Sequence, residues 1–297
     1  MYNRKVILNI AISVVFVSLA SFTMANTQIE ASFNSEKWEL SWSDEFDYTG
    51  SPNPKIWDYE HGYLGFNEEL QNYTDRPENA RVEDGILIIE AHLNDVTPKR
   101  SKEIVEELKG SNAKVSILGS QEFTSARLIT RGKREFVHAR VETRARFNTG
   151  RGTWPAIWLL GDEDKNPWPL CGEMDIMEHV GFKPDHVYSA VHSKVSNFMN
   201  SAGVSKEVVL DDVWGDFHTY SVEWDAETIR YFIDDVCYHI IDKGERPDDD
   251  WPFVQDNPFY VILNIAVGGS WGGKEGIDKA VFPQRMEVDY VRVFKRK

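Results

Sequence analysis

Gly172-Glu173-Met174-Asp175-Ile176-Met177-Glu178-His179 carries three carboxylates within six residues, interleaved with apolar side chains. In an extended strand successive side chains project to opposite faces, so Glu173 and Asp175 share one face while Met174 and Ile176 take the other. Strict alternation would turn Glu178 away from Glu173. One extra residue near Ile176-Met177, a β-bulge, returns it to the same face, and bulges often re-aim a side chain beside an active site. Such a strand presents three acids in a row to one cleft.

Carboxylates crowded on one face resist simultaneous ionisation. A retaining glycosidase exploits that cost. One ionised carboxylate attacks, and a second, protonated one roughly 5–5.5 Å away acts as general acid. Repulsion raises the pKa of one member and so separates the roles. The row also reads as a solvated acidic face or as a metal site. A solvent face fits poorly among Trp168, Pro169, Cys171 and Met174, and a metal site usually recruits nearby His or more oxygen ligands.

Upstream, Trp38 to Phe46 alternates as a first strand, Ser51 to Pro54 turns the chain, and Asn67 to Tyr73 reads as a helical turn or a loop over a cleft. Arg81 to Gly85 looks like a hairpin turn feeding a strand over Ile86 to Ala91. Pro98 to Gly110 has helix-like periodicity and reads as a solvated surface insertion within 93–118. Further strands are expected over 126–130, 134–147, 153–160, 187–193, 219–225, 228–233, 236–241, 259–266 and 287–295. Short strands at near-regular spacing, with almost no helix, indicate an all-β sandwich or barrel.

Residues 1–25 read as an export signal: Arg4 and Lys5, an apolar run from Val6 to Phe22, and a small-residue site at Thr23-Met24-Ala25. The rival reading is a retained anchor, since about 17 apolar residues just span a bilayer. Cleavage would leave a single domain over 26–297, destined for the periplasm or the exterior. Net charge is −15 for the whole chain and −17 without Arg4 and Lys5. That balance disfavours nucleic acid and polyanionic substrates. Ten Trp, eleven Tyr and sixteen Phe offer flat apolar faces that can stack on sugar rings, although most such residues are ordinary core. Cys171 and Cys237 permit one disulfide in an exported protein. Cys171 shares the parity of Glu173 and fits a small buried thiol beneath the cleft, so both cysteines are read as free.

Together WSDEF (42–46), NEELQNYTDRPENARVEDGIL (67–87), FTSARLIT (123–130), GTWPAIWLLG (152–161), GEMDIMEHVG (172–181), FHTYSVEWD (217–225), NIAVGGSWGG (264–273) and MEVDYVRVF (286–294) resemble family 16 glycoside hydrolases, in particular the laminarinase-like β-1,3-glucanases. The resemblance implies a concanavalin A-like β-jelly-roll of two curved antiparallel sheets with an open substrate groove, and hydrolysis with retention. It makes Glu173 the nucleophile and Glu178 the general acid/base, with Asp175 hydrogen-bonding the nucleophile.

Trp154 and Trp158 resemble subsite aromatics, and Trp271 a further stacking platform. Asn67 and Arg127 match polar residues that bind sugars on the non-reducing side, and His192 looks like a neighbour of the acid/base. Each has a bland alternative: core for the tryptophans, a loop cap for Asn67, an ion pair for Arg127 and a satisfied structural histidine for His192. Catalysis is expected to need no cofactor. A structural calcium, common in the family, points to Glu45, Gly85 and Asp289, although Asp289 equally suits pairing with a basic neighbour.

The implied activity is endo-cleavage of β-1,3-glucan or mixed-linkage β-1,3-1,4-glucan, a neutral partner, by a monomer with no nucleic-acid partner and no stable membrane association after signal cleavage. Two alternatives stand beside it, an agarase- or carrageenase-type galactan hydrolase and an inactive jelly-roll carbohydrate-binding protein.

Overall fold

A computed structural model describes residues 36–94, 122–197, 199, 204–210, 212–213, 215–247 and 249–297. The export segment and all but the first two residues of the 93–118 insertion, including its helix-like stretch, lie outside the described residues.

Alternation is the local rule from which the fold is built. Along Ala139–Phe147, Val141, Thr143, Ala145 and Phe147 turn inward, while Arg140, Glu142, Arg144 and Arg146 line the other face, where Arg140 pairs with Glu142, Arg144 with Asp289 and Arg146 with Glu287. That strand lies at the centre of a ten-stranded sheet. The sheet runs in the order Val236–Asp242, Thr228–Ile233, His218–Trp224, Ala139–Phe147, Gln284–Arg296, Ile86–Leu93, Phe123–Ser125, Gln71–Tyr73. Ala80–Glu83 adds to Ile86–Leu93, and Trp38–Asp44 pairs with the distal half of Gln284–Arg296.

The facing sheet has eight strands in the order Val204–Val209, His186–His192, Glu173–Glu178, Thr153–Leu160, Phe259–Val267, Arg127–Ile129, Asp58–Tyr59, with Glu135–Phe136 also on Phe259–Val267. Between the sheets lies one continuous core. Leu87, Ile89, Val141, Val222 and Val291 from one side meet Ile157, Leu159, Met174, Val261 and Leu263 from the other. Burial of each such side chain stabilises by roughly 1.5–3 kcal/mol.

The all-β expectation holds among the described residues, whose only helical pieces are single 3₁₀ turns. Asp84 (φ 52°) and Gly85 (φ 79°) form the expected hairpin turn, the left-handed pair that a two-residue β-connection requires. Two details differ from expectation. The strand expected over 126–130 is Arg127–Ile129, and a further strand, Phe123–Ser125, precedes it. The chain leaves Phe123–Ser125 in one sheet and enters Arg127–Ile129 in the other, with buried Ala126 as the crossing point. Gln71–Tyr73 pairs with Phe123–Ser125 in parallel, against the all-antiparallel expectation.

Candidate active site

The acidic strand Glu173–Glu178 lies near the middle of the eight-stranded sheet. Glu173, Met174 and Asp175 stand opposite His192, Val191 and Ala190, but Glu178 stands opposite Tyr188. Ile176 and Met177 thus face the single residue Ser189, and the neighbouring Thr153–Leu160 strand breaks register at the same place. This is the expected bulge. Both Ile176 and Met177 are fully buried in the core. A ladder hydrogen bond lost at a bulge costs on the order of 1 kcal/mol, whereas burying both side chains stabilises by roughly 3–6 kcal/mol. Packing therefore favours the bulge, and the bulge brings Glu178 into line with Glu173 and Asp175. Gly172, at φ 81°, makes the turn into the strand. A Cβ there would lie 2.6 Å from the Pro252 ring.

All three acids line a groove of about 440 Å³ on the outer face of this sheet. Trp168 donates its indole N–H to Glu173 Oε2 at 2.7 Å, and Trp154 donates to Glu178 Oε1 at 3.0 Å. Burial, and then the charge of Glu173, push the Glu178 carboxyl up to about 8, against the lowering pull of the Trp154 hydrogen bond. Asp175 is driven well above the usual carboxylate range by burial first, then by the charges of Glu173 and Glu178 and a hydrogen bond with Glu173. Both shifts favour the protonated forms of Glu178 and Asp175. His179, the next residue, is fully buried; burial lowers it to about 4, so it is neutral core.

Most residues singled out in the sequence converge here. Asn67, Arg127, Trp154 and Trp158 line the groove with the acids. Trp158 donates to Asn264 Oδ1 at 2.7 Å, and the Arg127 guanidinium lies 4.7 Å from the Trp158 ring centroid. Arg127 also pairs with Glu60, so it faces the groove and forms an ion pair at once. Trp271 is half-buried and packs edge-on against Trp154 at 5.1 Å and Tyr188 at 4.9 Å.

His192 departs from expectation. Antiparallel register sets it opposite Glu173, with Nε2 3.4 Å from Asp175 and 3.7 Å from Glu173, while Tyr188 occupies the place beside Glu178. Glu45, Gly85 and Asp289 lie near the point where pairing on Gln284–Arg296 passes from Ile86–Leu93 to Trp38–Asp44. As placed, however, both carboxylates are taken by guanidinium groups. Arg292 holds Glu45 through two hydrogen bonds of 2.8 and 3.0 Å, and Arg144 donates to Asp289 at 2.5 Å. These side chains do not fit a calcium site in this arrangement. Cys171 and Cys237 are buried and not joined in a disulfide, and burial raises the Cys171 thiol to about 12.

Trp168, Glu69, Glu60 and Asn264 also line the groove and were not singled out in the sequence. Trp168 had a signal in its position five residues before Glu173. Glu69 lies within the NEELQ stretch, where only Asn67 was read. Buried Glu69 accepts from Asn67 Nδ2 at 3.3 Å and from Gln71 Nε2 at 2.7 Å, while Gln71 Oε1 accepts from the Val267 N–H at 2.7 Å. This chain fixes the amide of Asn67 with its carbonyl oxygen outside the pair. Glu69→Gln replaces one acceptor by a donor facing another donor, a mismatch worth about 1–3 kcal/mol. The expected result is a KM raised by about 5- to 150-fold. Because the Glu69 charge helps hold Glu178 up, the basic limb of the pH profile should also move to lower pH. Unchanged KM and limb would make Glu69 purely structural.

A family model described as "Glycosyl hydrolases family 16" matches residues 95–292. The chain is 45% identical over 268 residues to a β-glucanase of Rhodothermus marinus, covering 87% of this chain and 85% of that protein. The crystal structure of the laminarinase from Rhodothermus marinus superposes with a TM-score of 0.76 over 88% of this chain and 98% of that one. A mutant of SCLam, a non-specific endo-β-1,3(4)-glucanase, aligns at 37% identity and a TM-score of 0.76 over 90% of this chain and 98% of its own. Its structure presents 1,3-β-D-cellobiosyl-glucose at the active site.

Proposed function

Since this chain belongs to glycosyl hydrolase family 16, we propose that it cleaves internal bonds of β-1,3-glucan or mixed-linkage β-1,3-1,4-glucan with retention of configuration. The observation that carries this reading is the aligned Glu173–Asp175–Glu178 row, with the Glu178 carboxyl pushed up to about 8. Glu173 attacks the anomeric carbon as Glu178 protonates the departing glycosidic oxygen. Water, deprotonated by Glu178, then releases the glycosyl-enzyme. Asp175 steadies Glu173 by hydrogen bonding throughout. Trp154 orients Glu178, and Trp168 orients Glu173. The reaction asks for two carboxylates and water, and for no cofactor.

A reducing-sugar assay on laminarin, barley β-glucan, agarose and carrageenan tests the reading. Laminarin or barley glucan should be cut. Activity on a galactan alone, or on none of the four, would overturn it. The pH profile gives a second check. Below about 8 Glu178 keeps its proton and can act as acid; above it the proton is lost. The plot of kcat/KM should therefore fall as pH rises through about 8, as a macroscopic value of the coupled row. A profile flat to pH 10 would count against Glu178 as the acid.

Three further expectations belong to the same proposal: export after removal of residues 1–25, a single catalytic domain over 26–297, and a monomer free of the membrane. N-terminal sequencing of secreted protein and its sedimentation coefficient test them. A structural calcium at Glu45, Gly85 and Asp289 would require Arg292 and Arg144 to swing away. A rise in melting temperature on adding calcium to chelator-treated protein would support it, and equal values would not.

A further inference from the structure

We propose that Glu173, Asp175 and His192 form a binding site for one divalent transition ion of the zinc or copper class, and that the bound ion blocks the nucleophile. His192 stands directly across the ladder from Glu173. Its Nε2 lies 3.4 Å from Asp175 Oδ2 and 3.7 Å from Glu173 Oε1, and one donor atom from each of the three residues lies within 4.8 Å of the others. Zinc bonds nitrogen and oxygen at about 2.0–2.2 Å, and tetrahedral angles then set neighbouring donors roughly 3.3 Å apart. The existing spacing needs only small side-chain adjustments to meet that demand.

A second observation aims the site. Asp175 is 4% exposed, and its Oδ2, turned toward His192, has no hydrogen-bond partner. A buried carboxylate oxygen left without a partner is costly, and a cation bound there removes the cost as the Asp175 proton passes to solvent. Glu173 is divided in a matching way: Oε2 accepts from Trp168, while Oε1 faces His192. One imidazole with two carboxylates suits zinc or copper better than calcium or magnesium, which prefer all-oxygen shells. Three protein ligands leave a fourth position toward the groove. Glu173 must attack from that side, so ion and glucan exclude each other.

Among the described residues, His218 also stands between two acids but is differently built. His218 meets Asp234 through Nδ1 and Asp212 through Nε2, on opposite sides of the ring, and cannot direct both acids to one ion. It serves as the control.

Zinc chloride titrated calorimetrically into the wild-type protein, His192→Ala, Asp175→Asn and His218→Ala tests the site, with cobalt absorption as a second readout. The expected result is one zinc per chain, with affinity reduced at least about tenfold in His192→Ala and in Asp175→Asn. His218→Ala should bind as wild type does. A laminarin oligosaccharide should weaken the apparent zinc affinity, and zinc should inhibit laminarin hydrolysis reversibly by chelation. Equal binding by the wild type and the His192 variant would overturn the proposal. So would full activity at saturating zinc. The calorimetric arm is independent of which glycan the enzyme cleaves.

Discussion

Glu173→Ala and Glu178→Ala should each abolish glucan hydrolysis, and azide should then separate their roles by the configuration of the product. Removing a covalent nucleophile costs on the order of 10⁵–10⁶ in kcat, and removing a general acid roughly 10²–10⁴. On an aryl glycoside with a good leaving group the acid is scarcely needed. Glu178→Ala should therefore form the glycosyl-enzyme and then stall, because no base activates water. Azide needs no base. It should release this intermediate as a β-glycosyl azide. In Glu173→Ala the anion should instead enter the vacated space and give the α-azide in one displacement. Proton NMR of the anomeric signal decides between them. Opposite configurations would exchange the assignments, and with them the meaning of the Trp154 and Trp168 hydrogen bonds.

Asp175→Ala should cost about 10²–10³ in kcat, the scale of one lost donor to a charged reacting group. Asp175→Asn should stay within roughly tenfold of wild type. The difference follows from protonation. Asp175 is 4% exposed, and burial with the neighbouring charges holds it well above the usual carboxylate range. A carboxyl favoured in its protonated form is a neutral donor to Glu173, and an asparagine amide reproduces a neutral donor. Alanine leaves a cavity and removes the hydrogen bond. Single-turnover rates on laminarin would compare the variants. Should Asn prove as damaging as Ala, Asp175 must work as an anion.

The acids and their bulge were legible because side-chain parity has a period of two and needs no knowledge of neighbours. Counting along 173–178 places Glu173 and Asp175 on one face and calls for one extra residue to bring Glu178 to it, and the core confirms the count by burying Met174, Ile176 and Met177 together. The hairpin at Asp84-Gly85 was equally local, since left-handed backbone selects such pairs. The assignment to a sugar-cleaving family and the groove residues Asn67, Arg127, Trp154 and Trp158 came from motif resemblance over most of the chain.

What the sequence by itself determined was therefore the strand alternation, the acidic row, the bulge and the family. Tertiary structure alone decided register and loop placement, because these depend on which strands lie side by side. Cross-strand register put His192 beside Glu173 and Asp175 rather than Glu178. It also set Arg292 against Glu45 and Arg144 against Asp289. Trp168 and Glu69 act from loops whose path no periodicity describes, and their partners become visible only once the chain has closed the groove. Above all, protonation was a tertiary outcome. The proton on Glu178 depends on burial and on the nearby charge of Glu173, and depth and distance exist only in the folded chain.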